Sequence, residues 1–166
     1  MAYEVIDNYF DDGYFSHLQH TIMKVGSPIR WEYVPAASAG NENDLTCMFA
    51  YLVFEHQQLS EMYEMLTSGP EALWDRFDIK SLIRIKLNLY PRTEKLVGHA
   101  SHQDYQFEHK GAIIYINDND GYTKLEDGTC IESKANRVLF FDASQPHSST
   151  NCTDAKARFN INVNYF

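Results

Sequence analysis

The chain has 166 residues, of which 44% are hydrophobic and 14% aromatic. That is the length of one ordinary domain with enough apolar side chain to bury a core, and it excludes intrinsic disorder. The net charge of -9 and the lack of any basic cluster argue against a protein that holds a nucleic-acid backbone by neutralising phosphates.

Met1 to Phe10 is acidic and polar where a secretory leader needs a basic start and an apolar run. The longest apolar run, Cys47 to Phe54, is too short to span a bilayer. The expectation is a soluble, cytoplasmic protein that does not bind a membrane. Cys47, Cys130 and Cys152 lie far apart, with no C-x-x-C, which predicts neither a disulfide framework nor a zinc ribbon. Asn151-Cys152-Thr153 matches a glycosylation sequon that is expected to stay unmodified without export.

In chain order, Asp11 and Asp12 precede Tyr14, Phe15, Leu18, Ile22 and Met23, the spacing of one face of an aspartate-capped helix. Trp31 to Val34 suggests a short strand, and Asp44 to Phe54 is apolar without a decisive period. Leu59, Met62, Tyr63 and Leu66 predict a helix over Gln57 to Leu66, ended by Ser68-Gly69-Pro70. Glu71 to Phe77 offers a further helical piece.

From Leu82 the period becomes two. Ile83, Ile85, Leu87 and Leu89 alternate with Arg84, Lys86, Asn88 and Tyr90, and Pro91 ends the strand. Gly111 to Asn117 and Val138 to Phe141 are apolar strands. Glu126-Asp127-Gly128 marks a tight turn, and Phe159, Ile161, Val163 and Tyr165 alternate with Arg158, Asn160, Asn162 and Asn164. Short strands separated by turns predict a mainly β, α+β chain built as a sandwich or jelly roll. It would form a single domain over 1–166, with a helix-rich 1–80 packed on a core at 81–166.

The chemical signal is His102-Gln103-Asp104. Residues i and i+2 of a strand point the same way, so an imidazole and a carboxylate can reach one metal ion. His147, just past another strand, is the candidate third ligand. Two histidines and one carboxylate on one face of an octahedron leave positions open for a co-substrate and O2, as at non-haem Fe(II) centres. Arg158 follows His147 on an alternating strand. A guanidinium held in a fold interior needs an anion, and a carboxylate can meet it in a bidentate pair.

From about Arg84 to Phe166 the chain resembles the prolyl 4-hydroxylase-like branch of the 2-oxoglutarate/Fe(II) oxygenases. The matching pieces are Tyr90-Pro91, His102-Gln103-Asp104, AIIYIN at 112–117, NRVLFF at 136–141, Pro146-His147 and RFNINVNYF at 158–166. The resemblance implies a double-stranded β-helix with flanking helices, and a dioxygenase that uses Fe(II), 2-oxoglutarate and O2, with ascorbate as an auxiliary. It implies that His102, Asp104 and His147 bind iron and serve as the catalytic centre. Arg158 and Tyr115 would hold the distal carboxylate of 2-oxoglutarate, and Tyr90 would approach it near the metal. The product would be a hydroxylated C–H bond, most simply of a peptidyl proline.

The alternatives are the same chemistry on a small metabolite or nucleobase, a non-catalytic metal-binding jelly-roll module, and a zinc hydrolase. Neither of the last two has a use for Arg158. His99 is expected beside the site rather than on the metal, and Arg137 at a sheet edge rather than in the pocket. If the clamp reading holds, the polar faces of the three strands carrying Tyr90, Tyr115 and Arg158 turn partly inward; an ordinary half-exposed sheet would turn them to water.

Overall fold

The computed structural model describes residues 3–37 and 46–166. Its elements in chain order are β1 (Glu4–Ile6), α1 (Asp12–Met23), β2 (Glu32–Val34), β3 (Met48–Glu55), β4 (Gln58–Leu59), α2 (Tyr63–Thr67), α3 (Leu73–Arg76), β5 (Leu82–Pro91), β6 (Lys110–Tyr115), β7 (Tyr122–Leu125), β8 (Cys130–Glu132), β9 (Arg137–Asp142), β10 (His147–Ser149) and β11 (Ala157–Tyr165). The larger sheet runs β1-β9-β6-β11-β5-β3-β2, with β4 on β3; the smaller runs β10-β7-β8. All the strand pairs within these two sheets are antiparallel. Two facing antiparallel sheets with helices outside the larger one make the expected mainly β jelly roll.

Helix α1 starts where the sequence places it. The Asp11 carboxylate accepts from the amides of Gly13 and Tyr14 at 2.9 and 3.2 Å, satisfying donors that the first turn leaves free. Its apolar stripe buries Phe15, Leu18 and Ile22, while Met23 ends up exposed. With Leu66, Leu73 and Phe77 these residues cover one face of the larger sheet, packing on Ile85, Leu87, Ile114, Val138, Ile161 and Val163. A second, smaller core of Ile113, Tyr115, Leu125, Ile131, Leu139, Phe141 and Ala143 lies between the sheets.

Several local expectations shift. The ambiguous stretch from Asp44 resolves into strand β3 from Met48; Asp44 and Leu45 lie outside the described residues. The helix expected from Gln57 gives way to strand β4 and begins only at Tyr63. His56 and Gln57 adopt positive φ (48° and 66°), which turns the chain back on itself and pairs Glu55 with Gln58. The helical period was real, but the reversal takes its first turn. The first eighty residues therefore supply strands to the larger sheet as well as helices, and β1, which had no sequence signal, pairs with β9. Asn136 anchors that end: its side chain accepts from Phe10 N at 3.0 Å and donates to Phe10 O at 2.9 Å.

Among the described residues no helix is long and apolar enough to cross a membrane. None of the three cysteines is disulfide-bonded.

Candidate metal and co-substrate site

The inward faces of β5 and β11 are polar, as the clamp reading required, whereas the inward row of β6 that carries Tyr115 is otherwise apolar, at Ile113. The register pairs Tyr90 with Arg158, Asn88 with Asn160, Lys86 with Asn162 and Arg84 with Asn164. Arg158 and Asn164 are 0% exposed. The alternate residues Ile85, Leu87, Ile161 and Val163 face the helices instead. A two-residue period thus sends one row of each strand to the apolar core and the other into the space between the sheets.

Into that space project His102, Asp104 and His147. One potential ligand atom from each lies within 4.8 Å of the others. His102 and His147 sit on neighbouring backbones that exchange two hydrogen bonds of 2.9 Å, so the two rings are placed by a β-bridge. Their centroids are 4.7 Å apart. The Nδ1 of His102 lies 3.3 Å from Ala100 O, and that of His147 lies 3.0 Å from Gln145 O. A carbonyl accepts only from a protonated Nδ1, and in the neutral ring that leaves Nε2 with its lone pair for a metal.

Asp104 is held from three sides. Arg84 donates to Oδ1 at 2.8 Å, and Asn162 and Asn164 donate to Oδ2 at 3.1 and 2.9 Å. Burial works against its charge. Arg84, the adjacent His147 and the two amides outweigh that burial and hold the carboxyl well below the usual carboxylate range. Burial and the neighbouring His147 push the His102 imidazole below its ordinary value, towards the neutral form a metal needs. The donor set is two imidazoles and one carboxylate, which suits a divalent first-row metal.

Arg158 lies at one end of this space. Its Nε donates to Ser133 Oγ at 2.7 Å, Nη1 to Ser149 Oγ at 2.5 Å and Thr150 O at 3.2 Å, and Nη2 to Thr123 Oγ1 at 3.1 Å. Tyr115 donates to the same Thr123 oxygen at 2.9 Å. The guanidinium carbon stands 5.4 Å from the Tyr90 ring and 5.7 Å from the Tyr115 ring. Among the described residues no carboxylate pairs with Arg158. A fully buried cation met only by neutral groups is a costly arrangement that an anion would relieve.

A cavity of about 30 Å3, lined by Asn88, Tyr90, His102, Thr123, His147, Ser149 and Asn162 among others, connects the histidines to this end. Asn88 and Asn162 each keep a buried amide oxygen without a partner. The cavity has room for water rather than for a five-carbon diacid. Entry of such a ligand requires the lining side chains to turn aside, beginning with the Ser149 hydroxyl that now occupies Nη1.

The sequence expectations and the structure thus bring His102, Asp104, His147, Arg158, Tyr115 and Tyr90 to one place. Buried His99 lies tilted beside Tyr90 with ring centroids 5.0 Å apart and is not among the three converging groups. Arg137 pairs with Asp7 at 2.6 Å near the sheet edge. Sequence reasoning missed Thr123, Ser133 and Ser149 around the guanidinium. They sit in short segments with no pattern of their own. It also left Arg84 and Asn164 without a role, although the alternation had already placed both on the inward face.

No protein-family profile matches the chain, and no curated protein does. Solved structures do. An oxidoreductase of the 2OG-Fe(II) oxygenase family from Burkholderia pseudomallei superposes with a TM-score of 0.69 at 12% identity, covering 98% of this chain and 84% of that one. A prolyl hydroxylase from Trichoplax adhaerens, in complex with a hypoxia inducible factor peptide fragment, gives 0.67 at 14% identity, covering 99% and 83%. HygX from Streptomyces hygroscopicus, with nickel, 2-oxoglutarate and hygromycin B bound, gives 0.63 at 12% identity, covering 98% and 82%. The chain therefore has the double-stranded β-helix fold of the 2-oxoglutarate/Fe(II) oxygenases.

Proposed function

We propose that this chain is an Fe(II)- and 2-oxoglutarate-dependent dioxygenase that hydroxylates a C–H bond. His102, Asp104 and His147 hold the iron. Arg158 takes the distal carboxylate of the co-substrate, and Tyr115 and Tyr90 flank it. The observation that carries this reading is a pairing of two features in one cleft: a convergent His-Asp-His group, and a fully buried guanidinium that no carboxylate of the described residues pairs with. A plain metal module or a zinc hydrolase accounts for the first and leaves the second unexplained.

The bound metal supplies O2 activation coupled to the decarboxylation of 2-oxoglutarate to succinate and CO2. The protein supplies placement. The β-bridge sets the two imidazoles, and the Ala100 and Gln145 carbonyls fix their tautomers. Arg84, Asn162 and Asn164 hold Asp104 ionised and oriented. The Tyr90 and Tyr115 rings and Ile113 keep bulk water from the co-substrate end.

The substrate is a peptide or a small molecule. The prolyl hydroxylase neighbour with its bound peptide supports a peptidyl proline, and HygX with its aminoglycoside supports a small molecule. The fold is common to both. With Fe(II) and 2-oxoglutarate, the purified protein should form succinate, and His102→Ala should abolish both succinate formation and stoichiometric metal binding. Succinate formed undiminished by His102→Ala refutes the triad.

A further inference from the structure

Beyond the metal and the co-substrate clamp, the inward row of β5 carries a second cation, Lys86. It lies between Arg84 and Asn88, opposite Asn162 on β11 and Leu52 on β3. Asn162 lines the cavity and donates to Asp104, so Lys86 flanks the metal-binding group directly. Four residues of strand separate its register position from that of Arg158, ~13 Å. It is therefore on the far side of the metal group from the clamp, too distant to share the distal carboxylate that Arg158 would hold.

The local acids are committed elsewhere. Asp104 is taken by Arg84, and Glu55 accepts from the Tyr105 hydroxyl at 2.8 Å. Among the described residues Lys86 makes neither an ion pair nor a hydrogen bond. Lys86 is only half-buried, yet its ammonium lies deep enough in the cleft that desolvation lowers its pKa to about 8. Beside it, Asn88 Oδ1 and Asn162 Oδ1 are buried acceptors with nothing to accept from. A strand interior gains nothing from an unpaired ammonium, since an apolar residue there would avoid the desolvation. The cation and the two acceptors together describe half of a polar recognition site.

We propose that Lys86 receives an anionic group, a carboxylate or a phosphate, on the molecule that is oxidised, with Asn88 and Asn162 accepting from N–H or O–H groups next to it. This deepens the oxygenase reading and rests on it for the word "oxidised", but the anion site itself can be tested separately. Substrate choice then follows from charge: an acidic side chain or a phosphorylated small molecule is held near the metal, and a neutral analogue leaves Lys86 and both amide oxygens unmet.

The test uses the full chain loaded with diamagnetic Zn(II), with and without 2-oxoglutarate, and follows the lysine side-chain NMR signals. Lys86 is assigned by its loss in Lys86→Met. Inorganic phosphate and N-acetylaspartate N-methylamide are titrated separately, which distinguishes the two sources of the anion. One of them should shift the Lys86 signal saturably, and its affinity should fall at least about tenfold in Lys86→Met, with recovery in Lys86→Arg. A Lys86 signal that responds to neither anion in the unaltered protein overturns the proposal, as does equal affinity in the folded Lys86→Met variant. If 2-oxoglutarate fails to bind while the Lys86 signal still saturates, the anion site stands and the oxygenase reading falls.

Discussion

Asp104 and Lys86 lie near enough to feel each other's charge and show opposite ways of handling a charge drawn away from bulk water. Asp104 has three donors and stays ionised. Asn164 serves it through a short relay. Its amide nitrogen donates to Asp104 and also lies 3.3 Å from His109 Nε2, while His109 Nδ1 lies 2.8 Å from Phe107 O. In the neutral ring with Nδ1 protonated, Nε2 accepts, so both Asn164 amide protons are used and the side chain is held in this orientation.

Lys86 has no such support, and its lowered pKa makes its energetic effect visible. Below about pH 8 both folded and unfolded chains carry the charge, and the folded state bears the full cost of burying it. Between about pH 8 and 10.5 the unfolded chain holds a proton that the folded one has lost, so this residue makes stability rise with pH. The cost is at most about 3 kcal/mol. Denaturant unfolding should therefore show Lys86→Met to be more stable than the parent at pH 7, with the advantage fading towards pH 10. A less stable variant at pH 7 would mean the ammonium is satisfied.

At the scale of elements, the turn before β7 decides the position of the guanidinium. A Cβ on Gly121 would meet Arg158 Cδ at 2.6 Å and Asn119 Oδ1 at 2.8 Å, and would also strike the Asn151 carbonyl. Glycine is needed there because backbone from two loops and the arginine stem share the space, not because of φ. Gly121→Ala should displace Arg158 and weaken 2-oxoglutarate binding by about tenfold or more, since a misplaced positioning group is costly. Metal affinity should fall less, because His102 and Asp104 come from other segments and the bridge to His102 also holds His147, whose strand β10 pairs with β7. Isothermal titration with Mn(II) and then with 2-oxoglutarate separates the two effects. Equal losses in both would show that the turn supports the whole cleft rather than the clamp.

At the scale of the molecule, the larger sheet has a dry side and a working side. Helices α1, α2 and α3 seal the first with Leu18, Leu66 and Leu73, each 0% exposed. The polar residues of the second face are tolerable only because that seal fixes the strands beneath them. Leu18→Ala should cost about 2–5 kcal/mol, as a truncated core side chain does. Thermal unfolding followed by circular dichroism should show one transition at lower temperature, with metal affinity below it preserved. Loss of metal binding ahead of unfolding would show that the helical layer also shapes the cleft.

The sequence by itself determined the strands with a strict period of two, the residues on each face, and the identity of the metal and clamp candidates. Residue type and alternation act locally, so His102-Gln103-Asp104 and the row Arg158, Asn160, Asn162, Asn164 were legible without a fold. Only the tertiary structure decided which partners those side chains meet. The β-bridge joining His102 to His147, the Arg84–Asp104 pair, Thr123 beneath the guanidinium and the unpartnered ammonium of Lys86 all depend on contacts between segments far apart in the chain. Register and sheet order set such contacts, and no local pattern encodes them. The same reason accounts for β1 and β4, which are strands because β9 and β3 offer them edges.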